Sequence, residues 1–365
     1  MIISYIMKDT DLAWQEFINN GELFSKSKEE KKETTIPKCS DIYISTQTKI
    51  AYISDPVDLN KVFWKIKILP YHYGRVGVLK KQMKTVCNTL EESEDLNKKI
   101  EIEKGDDNCV NVNTIKMINN PTARKIKYKD IRKINIGLSK KDLTSYRIKK
   151  KGAFYNCIVL IIRLKIDQRF KEFHLKVFNT GKLEIPGIQK EPSLYMLLDK
   201  LITILQPFQE KKLTWEKENI DTVLINSNFS CGFYLDRTKL YKILRYKYKF
   251  HALFDSCSYP GIQCKFYYNI SNKNNNGRCT CPEKCNKKGN GREINNCLEV
   301  SFMIFRTGSV LIVGHCTEEI LKYIYEKVKK LLADEYNAIK ISYIPVKRTS
   351  KKKHIRKRII YQKAS

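Results

Sequence analysis

Apolar and polar residues in this chain form strand-like and helix-like stretches that come in the same order twice. Residues 42–53 (IYISTQTKIAYI) show mixed alternation and predict a strand. Asp58 then precedes Leu59, Val62, Phe63 and Ile66, an apolar 3/4 spacing behind a capping residue, which predicts a helix. Further on, 222–234 (TVLINSNFSCGFY) again reads as a strand, and Asp236 precedes a helix carrying Leu240, Ile243 and Leu244. Each half continues through an intervening segment to a strand hairpin and closes on a helix. The closing stripes are Leu194, Leu197, Leu198, Leu201 and Leu205 in one half, and Ile320, Ile324, Val328 and Leu331 in the other, with Thr317 as N-cap. Stripes at this spacing form core and carry no chemistry.

The hairpins make the duplication explicit. Val177-Phe178-Asn179-Thr180-Gly181-Lys182-Leu183-Glu184-Ile185-Pro186-Gly187 aligns without a gap on Ile304-Phe305-Arg306-Thr307-Gly308-Ser309-Val310-Leu311-Ile312-Val313-Gly314. Both copies read strand, x-Thr-Gly-x turn, strand, Gly. A unit that occurs twice implies a pseudo-symmetric fold.

Charge adds a partner class. Among 365 residues, 69 Lys+Arg stand against 39 Asp+Glu, a net charge of +30, and such a surplus favours a polyanion, most simply nucleic acid. The richness in Lys, Asn, Ile and Tyr is what AT-rich coding produces and accounts for part of the lysine. No apolar run reaches the roughly 18–20 residues of a membrane helix. Met1 to Met7 is too short, and soon too acidic, for a signal peptide. An intracellular protein is expected, in which twelve cysteines serve as thiols or metal ligands rather than disulfides. The expected layout is a loosely ordered arm at 1–40, a first repeat at 41–208 interrupted by 84–151, a second at 209–340 interrupted by the Cys-rich 269–297, and a basic tail at 341–365.

The doubled motif resembles the TATA-binding protein family, in which each half carries Ile-Phe-x-Ser-Gly-Lys-x-x-x-Thr-Gly. Tyr259-Pro260-Gly261-Ile262-Gln263-Cys264-Lys265 is similar to that family's Phe-Pro-Gly-Leu-Ile-Tyr-Arg. Residues 74–84, Gly152 to Asn156 and Ser301 to Val310 look like the divergent TATA-binding-like proteins of large nucleocytoplasmic DNA viruses. The resemblance covers roughly 42–75, 152–208 and 220–337. It implies an α/β saddle of two repeats, each a curved antiparallel sheet with helices on the convex face.

It also implies that the concave sheet lies in the DNA minor groove and that four aromatic wedges bend the duplex. Unstacking a base step costs a few kcal/mol, offset by the surface that bent DNA contacts. Phe178 and Phe305 fall on two wedge positions and Tyr259 on a third. For the fourth, an ungapped extension gives Val76; Phe154 is preferred because Ile158–Leu164 is an apolar strand leading into the hairpin, and Tyr155 is the neighbouring option. Period-two geometry puts Thr180, Lys182, Glu184 and Pro186 on the face of Phe178, and Thr307, Ser309, Leu311 and Val313 on that of Phe305. Glu184 stands where the family has Val, and Lys176 also replaces an apolar residue. The paired Asn residues of the family's dyad match Thr222 and Ile42. Lys182 and Lys265 are candidate phosphate contacts, with Arg306 a weaker one.

Cys279, Cys281, Cys285 and Cys297, spaced C-x-C-x3-C-x11-C, are a candidate structural zinc set in a segment without its own apolar core. Cys264 or Cys257 are alternative ligands for one position. Under the resemblance this loop, joining the strand with Tyr259 to the strand with Phe305, is a saddle stirrup, where a zinc knob would flank DNA or meet a partner factor. No phosphate loop or His/Glu constellation stands out, and the helix-hairpin-helix of glycosylases that carry a related half is missing, so no enzyme is expected. The expected function is a viral initiation factor that binds and bends promoter double-stranded DNA and recruits a TFIIB-like factor and viral RNA polymerase. It would act in a host cytoplasmic viral factory or nucleus, or travel in the virion, with no membrane or small-molecule substrate. A virion or assembly protein using the saddle for protein contacts is the alternative.

Overall fold

The computed structural model describes residues 36–105, 108–144, 154–272 and 275–341. The arm to residue 35, the end of the first interrupting segment at 145–151 and the tail from 342 lie outside them. The fold is that of the unit from Cys39 onward.

One antiparallel sheet of twelve strands organises it. In the first repeat, β1 (Tyr43–Tyr52) leads to helix α1 (Leu59–Lys65), β2 (Gly77–Cys87), and then β5 (Cys157–Ile166), β6 (Arg169–Phe178), β7 (Lys182–Ile188) and helix α4 (Glu191–Leu205). The second repeats this order with β8 (Asp221–Ser230), α5 (Arg237–Lys242, continuing as a π-turn to Lys247), β9 (His251–Leu253), β10 (Gly261–Tyr268), β11 (Leu298–Phe305), β12 (Ser309–Gly314) and α6 (Glu318–Asp334), followed by the short α7 (Tyr336–Ile339). Segment 84–151 contributes the end of β2, helix α2 (Leu90–Gly105), β3 (Val110–Asn119), β4 (Tyr128–Gly137) and α3 (Lys140–Thr144). The strand order β3-β4-β2-β5-β6-β7-β1-β8-β12-β11-β10-β9 shows the duplication. Five strands of each repeat run outward from a central β1–β8 seam, and the first repeat gains β4 and β3 at its edge.

Local chemistry sets these elements. Asp58 caps α1 by accepting from the Lys61 N–H, Asp236 caps α5 through Thr238 and Lys239, and Thr317 caps α6 through Ile320. The two Thr-Gly turns are alike. Gly181 and Gly308 have φ of 83° and 80°, and their N–H groups donate to the Phe178 and Phe305 carbonyls. A Cβ on Gly181 would lie 2.9 Å from the Ile53 carbonyl, and one on Gly308 2.2 Å from that of Phe233. Both turns therefore need glycine, for its left-handed backbone and for close docking on the segment after β1 or β8. The β5–β6 turn is two residues, Asp167-Gln168, both at positive φ, whereas its counterpart between β10 and β11 is the Cys-rich segment.

Two apolar cores lie against the same face of the sheet, one under α1, α2 and α4, the other under α5 and α6. Within β1, Lys49 reaches Glu191 of α4 and Gln47 reaches Glu318 of α6, which puts both closing helices on one side. The inserted α2 is tied to this layer by buried Lys81, which donates to Glu103 at 2.5 Å and to the Ile66 carbonyl. The result is an α/β architecture of the saddle kind, with the long helices on one face of the sheet.

Candidate nucleic-acid interface

Strand alternation defines the opposite, helix-free face. In β6, Phe173, Leu175 and Val177 enter the core, so His174, Lys176 and Phe178 face away from the helices. In β11, Val300, Phe302 and Ile304 are core, leaving Ser301, Met303 and Phe305 on the other side.

Both repeats assemble an aromatic pair at the same end of this face. Phe178 pairs in register with Cys157 at the start of β5, and Phe154 lies three residues before that strand, 61% exposed, with Lys176 Nζ 5.0 Å from its ring centre. Phe305 pairs with Gly261 at the start of β10, and Tyr259 precedes that strand in the same way. The Tyr259 and Phe305 rings lie edge-on, centres 5.8 Å apart, and the Tyr259 hydroxyl donates to Met303 Sδ at 3.3 Å. A Cβ on Gly261 would come within 3.0 Å of both rings, so glycine makes room for the pair. Val76, the alternative to Phe154, adjoins Gly77, which pairs with Arg163 at the far end of β5.

Between the pairs the floor is mostly small. Ser309, Leu311 and Val313 of β12 lie opposite Ser230, Asn228 and Asn226 of β8, and Thr46 and Thr48 of β1 lie opposite Asn226 and Leu224. The side-chain amides of Asn226 and Asn228 have no hydrogen-bond partner among the described residues, leaving donors at the centre of the face. The 226–230 alternation carries this signal, and the amides stand apart from the expected positions Thr222 and Ile42.

Thr222 itself does not join the face. A bulge leaves Val223 out of the β1–β8 register and turns Thr222 to the helix side, where it accepts from Lys49 Nζ at 2.7 Å. Ile42 packs against the second core. Thr180 and Thr307 also depart from the period-two expectation. Each sits exposed in a hairpin turn, where strand alternation no longer applies.

Two lysines of the repeats' own face are internally compensated. Lys176 meets Glu184 at 2.6 Å across β6 and β7, and Lys265 donates to Glu299 at 2.6 Å and Ser301 at 2.9 Å. Lys182 pairs in register with Tyr52. Arg306 occupies the second turn. The remote end of the face is covered in the first repeat, where Arg163 donates to the carbonyls of Tyr71, Tyr73 and Arg75.

The four predicted thiols do come together. Their Sγ atoms all lie within 4.8 Å of one another, with Cys281 and Cys279 at 3.3 and 3.7 Å from Cys297. Tetrahedral zinc with Zn–S of about 2.3 Å needs sulfurs about 3.8 Å apart, so this donor set can hold a metal. The backbone N–H groups of Lys287 and Cys297 point at Cys285 Sγ. Cys264 is excluded: it lies in the second core, where burial pushes its thiol up to about 12. Cys257 lies in the segment before Tyr259 and takes no part in the cluster. The expected stirrup position is corrected. The cluster closes the β10–β11 end at Tyr268 and Leu298, opposite the end that holds Tyr259 and Phe305. Lys287 nevertheless reaches the helix-free face, 5.2 Å from the ring centre of Tyr267.

The chain is 25% identical over 205 residues to a TATA-box-binding protein-like protein of Acanthamoeba polyphaga mimivirus. The chain resembles a viral TATA-binding-like protein. The match takes in 52% of this chain and 50% of the other, so the chain spans about half the length of that relative. Among solved structures, the TATA-binding protein (TBP) of Methanococcus jannaschii matches over 81% of this chain and 99% of its own, at 12% identity and a TM-score of 0.39. No family model matches. Among the described residues, no helix is long and apolar enough to cross a membrane.

Proposed function

We propose that this TATA-binding-like chain is a non-enzymatic transcription initiation factor that binds double-stranded promoter DNA by its helix-free face, bends it through the minor groove and recruits a TFIIB-like factor and viral RNA polymerase. The observation that carries the reading is the equivalent placement of two aromatic pairs, Phe154/Phe178 and Tyr259/Phe305, at one end of the same face in both repeats. Aromatics presented in this way fill an opened base step, and the small floor between them admits a minor-groove edge. Asn226 and Asn228 supply amide donors suited to the A·T acceptors N3 and O2. The Cys279, Cys281, Cys285 and Cys297 thiolates would hold one structural zinc ion, ordering a loop that has no apolar core of its own.

Selection of bound duplexes from a random pool tests the first part. Energy transfer between dyes at the ends of a selected duplex tests the second. AT-rich enrichment with shortened end-to-end distance is expected. Selection of no duplex, with retained binding to capsid or polymerase proteins, would leave the face a protein-contact surface.

A further inference from the structure

The inserted hairpin β3–β4 extends the sheet on one side only, and its helix-free face carries lysines and amides together with Ile118 and Ile131. On the helix side, Val110 and Val112 pack on the first core, while Asp130 is buried among Ser93 and Arg132. The register places Lys84, Gln82, Lys133, Asn135, Asn111, Asn113, Lys116 and Lys129 on the helix-free side. β2, β3 and β4 put no carboxylate on that side, and Lys84, Lys116 and Lys129 enter no ion pair among the described residues. This differs from the first repeat's own face, where Lys176 is neutralised by Glu184.

The hairpin also projects at the wedge end. The β2–β5 register begins at Met83 and Ile158, whereas β2 pairs with β4 four residues further, to Cys87 and Asp130. At about 3.3 Å per residue, the hairpin overhangs the start of β5 by roughly 13 Å. Its tip carries exposed Arg124, Lys125 and Lys127 and no acid. Lys84 Nζ lies 3.5 Å from the ring centre of Tyr155, next to Phe154. A hydrogen bond from Lys84, then the charges of Lys84, Lys129 and Lys116, hold the Tyr155 phenol below the usual tyrosine range. The opposite edge of the sheet ends in the three-residue β9 with no comparable extension.

We infer that β3–β4 is a basic flank that grips the DNA backbone beyond the first-repeat wedge, so that the protein's footprint is longer on that side and its orientation on a pseudo-symmetric site is fixed. The inference rests on the DNA-bending reading and deepens it. Two added strands at about 4.8 Å widen the face by about 10 Å, or about three base pairs at about 3.4 Å each. Lysines set on a strand face without acids act as phosphate contacts, which position without reading sequence.

The test compares wild type with the triple variant Lys84→Gln, Lys116→Gln, Lys129→Gln on one selected asymmetric duplex. Hydroxyl-radical footprinting of wild type should show protection extending about three base pairs further on one side of the bend. The variant should lose that extension, and its log K against log salt slope should fall by about 2.7, at about 0.9 per contact. Its end-to-end dye distance should remain that of wild type, since the aromatic pairs are untouched. Wild type that binds and bends this duplex with an even footprint, or a variant with unchanged slope and footprint, overturns the basic flank while leaving the bending reading intact. Wild type that binds no duplex removes both.

Discussion

Lys176 and Glu184 face each other at 2.6 Å across β6 and β7, on the side of the sheet that carries Phe178. Glu184 alone would repel a phosphate; in place, it is half of a neutral pair that occupies Lys176. Glu184→Val should free the ammonium for DNA, strengthen binding and steepen the salt slope by about 0.9. Titrations of affinity against salt measure this, and unchanged affinity and slope would mean that DNA does not approach this part of the face.

The aromatic and basic contributions should separate. Phe305→Ala removes the proposed wedge and half of the Tyr259 contact. A wedge fills a step whose opening costs a few kcal/mol, so affinity should drop about tenfold or more and the dye-reported bend should relax. Lys265→Ala should have a weaker effect confined to low salt, because Glu299 already holds this lysine. An equal loss of bending in the two variants would contradict the wedge assignment.

At the centre of the face, Asn226→Ala and Asn228→Ala test base readout. Each should reduce discrimination of A·T from G·C steps while retaining affinity for AT-rich sites better than Phe305→Ala. A lost amide contact is worth about 1–3 kcal/mol of discrimination. Competition between AT-rich and GC-substituted duplexes gives the ratio directly; preserved discrimination in both variants would assign it to DNA shape instead.

For the thiol cluster, elemental analysis of purified protein should find about one zinc per chain. The double variant Cys281→Ser, Cys285→Ser should lose it, with increased proteolysis within 269–297 and an otherwise intact fold, since the two cores do not use these side chains. Metal-free wild type that resists proteolysis in this segment would rule out the structural ion.

Much of the architecture could be read from short-range chemistry. The three Asp and Thr caps, the two Thr-Gly turns and the aromatic before each hairpin are local, and they recur in both halves. The apolar strand entering the hairpin points to Phe154 rather than Val76, and Phe154 lies at Phe178's end of the sheet. What escaped depends on register. A single bulged residue, Val223, decides that Thr222 faces the helices and that Asn226 and Asn228 do not. Within 84–151, read from the sequence only as an interruption, pairing of β3 with β4 shows which side the lysines take. The four thiols of the Cys-rich loop come together as their spacing suggests, but the loop lies at the end of β10–β11 away from Tyr259 and Phe305, because sequence order alone does not say at which end of a hairpin a loop lies.

The seam between β1 and β8 carries a last consequence. Seven registered pairs, from Tyr43↔Asn228 to Ile50↔Asp221, join the repeats along one seam, interrupted by bulges at Ser45 and Val223. Separating them would expose two rows of unpaired amides and carbonyls, the groups that drive strands to reassociate. The repeats therefore have no hinge along which to yield when a stiff ligand pushes back. Under the proposed function, load applied at the aromatic ends would pass through the central seam in tension, and the deformation would fall on the DNA. For the same reason, a cut in the connection at 209–220 should leave the two halves clasped, with the seam doing the work of the severed peptide.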